Sequence, residues 1–169
     1  MGSGSDDGVG GKVVGMDAAK LEIKEISEVE DKDYWLNKIG ESEWSAGKYL
    51  SSLLRAGSFY TLCGAKSKVF LLVEGSELMS FCTLAENDDV PDTDLTPWIG
   101  FVYTFPAFRG KRLIGKLIEH ACLVAGKAGY KDIYVSTDQK GLYENFGFVF
   151  YGEMKDRRDE MSLVYRRKI

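Results

Sequence analysis

The chain has 169 residues, 44% of them hydrophobic, which is enough for one well-buried domain and short for two. Its 22 Lys and Arg against 26 Asp and Glu leave a net charge of -4, which argues against the basic face of a general nucleic-acid binder. No run reaches the ~18 apolar residues of a membrane span and the N-terminus has no signal-peptide core, so a cytoplasmic protein without nucleic-acid or membrane partners is expected.

Cys63, Cys82 and Cys122 are odd in number, far apart and free of any C-x-x-C pairing, so they read as reduced, mostly buried thiols rather than a zinc or disulfide framework. His120 is the only histidine, which removes multi-histidine metal sites. Within a helical pattern it reads as a structural or surface residue. No metal is expected.

Residues 1–15, "MGSGSDDGVGGKVVG", have no hydrophobic period and read as a disordered leader or vector remnant, leaving a single domain over 16–169. "KLEIKEIS" alternates apolar and polar residues around Leu21, Ile23 and Ile26 and predicts a strand. Two amphipathic helical regions follow. One runs from about Lys32 through Trp35, Leu36 and Ile39, and the other from Trp44 through Leu50, Leu53 and Leu54 to a stop at Gly57. Trp35, Trp44, Tyr49, Phe59 and Tyr60 fit either an acceptor pocket or the core, and core packing accounts for most of them.

"KVFLLVEGSELMSFCTLAE" predicts a hairpin about a Gly-Ser turn. The loop "ENDDVPDTD" crowds Glu86, Asp88, Asp89, Asp92 and Asp94 just before "PWIGFVYTF", a β-branched and aromatic run that predicts a buried strand. From Leu113 to Ala128 the residues Leu113, Leu117, Val124 and Ala128, flanked by Ile114, Ile118, Ala121 and Ala125, give a broad apolar face at helical spacing. "KDIYVST" predicts a further strand, so strand, helix and strand form a parallel crossover. A short helix around Leu142 to Asn145 and the strands "FVFYGEM" and "EMSLVYRR" complete the chain.

"RGKRLIGKL" carries the chemistry. Gly110, Gly115 and Lys116 have the spacing of a phosphate-binding P-loop, but Leu117 stands where that loop needs a hydroxyl for magnesium, and the helical pattern commits Leu117 to the core. The physics of an anion site survives without the metal. A strand ending at Phe105, a turn and a helix starting near Arg112 leave free N–H groups at the positive end of a helix dipole. Lys111, Arg112 and Lys116 add charge beside them, and a diphosphate suits the arrangement. On this stretch alone, a plain turn with solvated basic residues explains the sequence equally well.

"GLYENFGF", Gly141 to Phe148, separates the two readings. With "PAFRGKRLIGKLI" earlier and a strand between, the chain resembles the GNAT superfamily of acetyl-CoA-dependent N-acetyltransferases over most of residues 16–169. That family carries P-x-[YF]-R-G-x-G-x-[GA] before its helix and LYEKxGF some thirty residues later. Arg112 and Ile114 replace a glycine and a small residue of the loop pattern, Trp98 stands where a glutamate is frequent, and Ser136 stands where an asparagine is, with Asp138 nearby.

The resemblance implies an α/β (α+β) fold: a mixed, mostly antiparallel central sheet of six to seven strands, helices on both faces, and one parallel crossover that binds the cofactor. It implies acetyl-CoA as co-substrate and acetyl transfer, by direct attack in a ternary complex, to a primary amine of a small molecule, cationic or not, or of a peptide. It implies CoA contacts from Phe101, Val102, Tyr103 and Thr104, from Arg109, Gly110, Lys111, Arg112, Leu113, Ile114, Gly115 and Lys116, and from Ser136, Tyr143 and Phe146. A backbone N–H within Phe101–Thr104 is the family-like oxyanion donor.

From the residue alone, Tyr143 reads as an ordinary amphipathic-helix residue; the motif makes it the general acid for the CoA thiolate. The alkylammonium acceptor, with a pKa of about 10.4, must lose a proton before it attacks. Asp94, nearest in sequence to the strand, is the first choice of base, although the acidic loop equally suits attraction of a cationic amine or plain solvation. Ser80 and Cys82 lie on the adjoining strand, but direct transfer needs no covalent acetyl-enzyme. A homodimer paired through the terminal strand is compatible with the pattern. The alternative from another class is a non-catalytic CoA or acyl-CoA sensor.

Overall fold

The computed structural model describes residues 20–169, so the expected leader over 1–15 lies outside the described residues. The hairpin forms as its alternation dictates. β2 (Lys68–Glu74) and β3 (Glu77–Ala85) pair antiparallel across the Gly75–Ser76 turn, and β1 (Leu21–Glu25) adds to the outer side of β2. β4 (Trp98–Thr104) pairs antiparallel with β3 and then parallel with β5 (Asp132–Thr137), and β7 (Met161–Lys168) lies between β5 and β6 (Val149–Lys155). The seven-stranded order is β1-β2-β3-β4-β5-β7-β6, with β4–β5 its one parallel pair.

Helices cover both faces. On one face α1 (Lys32–Gly40), α2 (Ser45–Ala56) and α3 (Ser58–Cys63) bury Trp35, Leu36, Ile39, Leu50 and Phe59 against Val69, Leu71 and Phe81 of the sheet. On the other face α4 (Leu113–Lys127) buries Leu117, Ile118 and Ala121 over Phe70, Cys82, Ile99 and Val135. Leu117 is fully buried. Replacing it with alanine is expected to cost about 2–5 kcal/mol by denaturant titration, the range for a core leucine whose site only partly collapses.

The differences from sequence expectation have local causes. Gly57 does end α2, in the left-handed conformation at φ 75°, but the chain re-enters a helix at once. The six residues of α3 are too few to show a period. The buried stripe of α4 ends at Ala125, and Ala128 is exposed beyond the last turn. The short helix is a 3-10 turn over Tyr143–Phe146. The terminal strand β7 has partners on both sides, so it is not free to pair across a dimer; β1 and β6 hold the edges.

Candidate active site

The centre of the sheet is open by construction. β4 and β5 pair only at Trp98↔Tyr134 and Ile99↔Val135, after which β5 continues alone against β7. The β3–β4 register slips between Phe81 and Thr83, so that Phe101 and Val102 together face Cys82. Two residues opposing one is a β-bulge, and Phe101 carries its strain at φ 48°. Beyond Ile99, β4 thus bends away from β5 and leaves a cleft walled by the backbone of Gly100 to Thr104.

The turn expected to hold an anion lies at the N-terminus of α4. Arg112 precedes the helix in the left-handed conformation, φ 55°, and no side chain caps the first turn. The helix N–H groups therefore stay available to an anion. Gly110, at φ 82°, has nothing within 4 Å of where a Cβ would stand, leaving the turn open. Gly115 permits close packing, since a Cβ there would stand 3.0 Å from the Phe146 ring, tighter than ordinary contact. The aromatic of the second motif thereby seats on the first motif's helix.

Charge surrounds this turn. Lys111, Arg112 and Lys116 are exposed, and the Arg112 guanidinium lies 5.4 Å from the Phe146 ring centroid. Arg109 is partly committed elsewhere: its Nε donates to the Thr104 carbonyl at 2.8 Å and its guanidinium covers the Tyr103 ring, bracing the end of β4. Leu113 is buried and Ile114 half-buried against the core, so what these two offer a ligand is backbone. A groove of about 1130 Å³ runs from this end of α4 to β1, with Lys111, Arg112, Lys116 and Phe146 in its lining together with Leu21 and Ile23.

Arg167 of β7 locks the two motifs together. Its Nη1 and Nη2 donate to the Glu119 carboxylate at 2.6 and 2.9 Å, and Nη1 also donates to the Phe146 carbonyl at 3.0 Å. The paired hydrogen bonds hold the Glu119 carboxyl below its ordinary range, against a smaller effect of burial.

Tyr143 is 5% exposed and packs edge-on against Phe148. Burial first, then Cys82 and Asp88, keep its hydroxyl far above the usual phenol range, so it stays protonated at any working pH. Ser136 shares a 2.6 Å hydrogen bond with Ser162 of β7, which commits its hydroxyl to the sheet. Ser80 is equally committed, donating to the Tyr103 carbonyl at 2.7 Å and sharing a hydrogen bond with Thr104 at 2.9 Å. The Cys82 thiol is fully buried and pushed up to about 12, chiefly by desolvation, which disarms it as a nucleophile. His120 packs edge-on against Phe70 on the outer part of α4.

The acidic loop folds differently from what its sequence order suggests. Asp94 is exposed, whereas Asp88 folds back against β4. A Cβ at Gly100 would collide with the Asp88 carboxyl and stand 3.2 Å from the hydroxyl of Thr83. Val90 and Leu95 anchor this loop on Trp98, Tyr134 and Val164. Of the aromatics weighed for an acceptor pocket, Trp35 and Phe59 are core and Tyr49 is exposed. Trp44 stacks on Tyr103 at 5.6 Å and meets Phe101 at 6.4 Å, beside the bulge.

The family model for the acetyltransferase (GNAT) domain matches residues 65–150, which span β2 through the second motif. The chain belongs to the GNAT family of acetyltransferases and is an acyltransferase by class. No curated protein matches it by sequence. Solved structures share its fold at low identity. An acetyltransferase from Streptococcus agalactiae is 22% identical at TM-score 0.61, with 88% of this chain and 98% of that one covered. A GNAT family N-acetyltransferase from Escherichia coli, solved in complex with CoA, is 16% identical at TM-score 0.61, with coverage of 89% and 82%. An acyl-CoA N-acyltransferase from Pseudomonas aeruginosa is 19% identical at TM-score 0.60, with coverage of 89% and 99%.

Proposed function

We propose that the protein transfers the acetyl group of acetyl-CoA to a primary amine. The observation that carries this reading is the combination of an uncapped, glycine-opened helix N-terminus with a strand edge of β4 that has no partner in β5 beyond Ile99, in a fold that also buries Tyr143. A diphosphate needs N–H donors and positive charge without a magnesium hydroxyl, which is what residues 109–116 offer. The extended arm of CoA needs an unpaired strand edge, and β4 has one from Gly100 to Thr104.

In this reading acetyl-CoA supplies an activated carbonyl and a thiol leaving group. Backbone N–H groups of the bulge donate to the oxyanion, and the bulge matters because it turns strand donors into the cleft. Tyr143 delivers a proton to the departing sulfur, whose thiol has a pKa of about 8.5 by analogy with cysteine. Trp44 and Phe101 stand at the acceptor side of β4 and give the amine an apolar wall.

The test is to incubate the full chain with acetyl-CoA and a panel of spermidine, kanamycin and a lysine-containing peptide, following thiol release and the mass of each amine. Release matched by one acetyl group on an amine is expected. Saturable thermal stabilisation by CoA with no release from any amine would favour a CoA sensor instead.

A further inference from the structure

We propose that Asp88, lying against Gly100 at the mouth of the β4–β5 cleft, is the residue that takes the proton from the acceptor amine. This rests on the acetyl-transfer reading above and assigns the base to a different carboxylate from Asp94. The geometry begins with Gly100. A glycine inside a dense β-branched strand is costly and marks a close approach, and the approaching group is the Asp88 carboxyl. Gly100 is also the first residue of β4 beyond its pairing with β5, so the carboxyl stands where the strands part.

Thr83 of β3 stands beside the same glycine. Its hydroxyl is fully buried, has no hydrogen-bond partner among the described residues, and faces the same point on β4 as the carboxyl. An orphan hydroxyl is expensive in a folded core, and a hydroxyl can serve a neighbouring carboxyl in either protonation state. The loop is held firmly enough to keep this arrangement. The Arg157 backbone N–H donates to the Asp89 carbonyl at 2.9 Å, and its Nε donates to the Asp88 carbonyl at 3.1 Å.

The groups facing Asp88 fix its titration. Burial pushes it up from 3.8 to about 7 and the Asp89 charge adds to this, while the Asp89 backbone N–H and Arg157 of the β6–β7 turn oppose it. Cys63 at the end of α3 and Tyr143 across the cleft both feel its charge. A base poised near neutrality is ionised when needed and basic enough to accept.

In the step, one N–H bond of the ammonium breaks and an O–H bond forms on Asp88. The freed nitrogen pair bonds to the thioester carbon, the C–S pair leaves with sulfur, and sulfur takes the Tyr143 proton. A second N–H proton restores Tyr143 and Asp88 returns its proton to solvent, so that ammonium and thioester become amide, thiol and one free proton.

Asp88→Asn is expected to lower kcat/KM about 100-fold at pH 7.5 and to remove the limb of the pH profile with midpoint about 7. Gly100→Ala keeps the carboxylate but displaces it from β4, and should give a similar loss. Carbon-13 NMR of the aspartate carboxyls needs no ligand. It should find one group titrating near 7 in the wild type and none in Asp88→Asn. The stability sign is also fixed. A carboxyl whose folded pKa is raised stabilises below its unfolded value, and that gain is lost as pH rises through about 7. Asp88→Asn should therefore raise Tm by more at about pH 8 than at about pH 5. An active wild type whose pH limb survives in Asp88→Asn overturns the role of Asp88 alone. A wild type that acetylates no amine overturns the acetyl-transfer reading and this role with it.

Discussion

Tyr143→Phe is expected to lower kcat about 100-fold while acetyl-CoA affinity changes by less than about threefold, the pattern of an interaction made only in the transition state. The substitution suits the question because the ring is core. Tyr143 packs on Phe148 inside the α4-side cluster, and phenylalanine keeps that packing intact. What disappears is a hydroxyl that burial keeps protonated. Stopped-flow thiol release, with calorimetry for binding, separates the two parameters. Equal kcat in both proteins would remove Tyr143 from the chemistry and leave it a packing residue.

The double replacement Lys111→Glu with Lys116→Glu is expected to weaken CoA binding by about 100-fold or more, since each charge-assisted phosphate contact contributes roughly 1.5–3 kcal/mol before screening. Both side chains are exposed, so the fold should tolerate the change, and circular dichroism checks this. Wild-type affinity should also fall as salt rises from about 0.05 to about 0.5 M, because the contact is solvent-exposed and the screening length shortens over that range. A charge reversal without effect would move the anion elsewhere. Arg109 is the poorer target, since removing it also releases the Thr104 carbonyl and the Tyr103 ring face.

Elements whose signals are local were legible in the sequence. The α4 stripe, the Gly75–Ser76 hairpin and the aromatic strand 98–104 each carry their own periodicity or turn chemistry, and all three form, although the stripe stops at Ala125 and the strand is buried only at Trp98, Ile99 and Tyr103. The two motifs were readable only as a pair, through the family they resemble: alone, residues 109–117 read equally as a plain turn and Tyr143 as an ordinary helix residue. Their mutual packing was not readable, because it depends on Gly115 admitting Phe146 and on Arg167, from a strand later in the chain, tying both down.

The acidic loop was the least legible segment. Sequence order favours Asp94 as the residue nearest the strand, but Val90 and Leu95 bury against Trp98 and Tyr134, which folds the loop back and sets Asp88 on β4. The signal in the sequence, unread there, is Gly100, an isolated glycine in "PWIGFVYTF". Nothing local could show that β7 ends up inside the sheet, since strand order follows from pairing with β5 across the whole crossover.

The most direct measurement is a calorimetric titration of the full chain with acetyl-CoA and, separately, with S-acetylpantetheine, which has the same thioester and arm but no diphosphate. If residues 109–116 hold the diphosphate, acetyl-CoA binds at least about 100-fold more tightly, because only it can form the charge-assisted hydrogen bonds at the start of α4. Equal affinities would contradict the account, since the uncapped helix and its basic residues would then contribute nothing to the ligand.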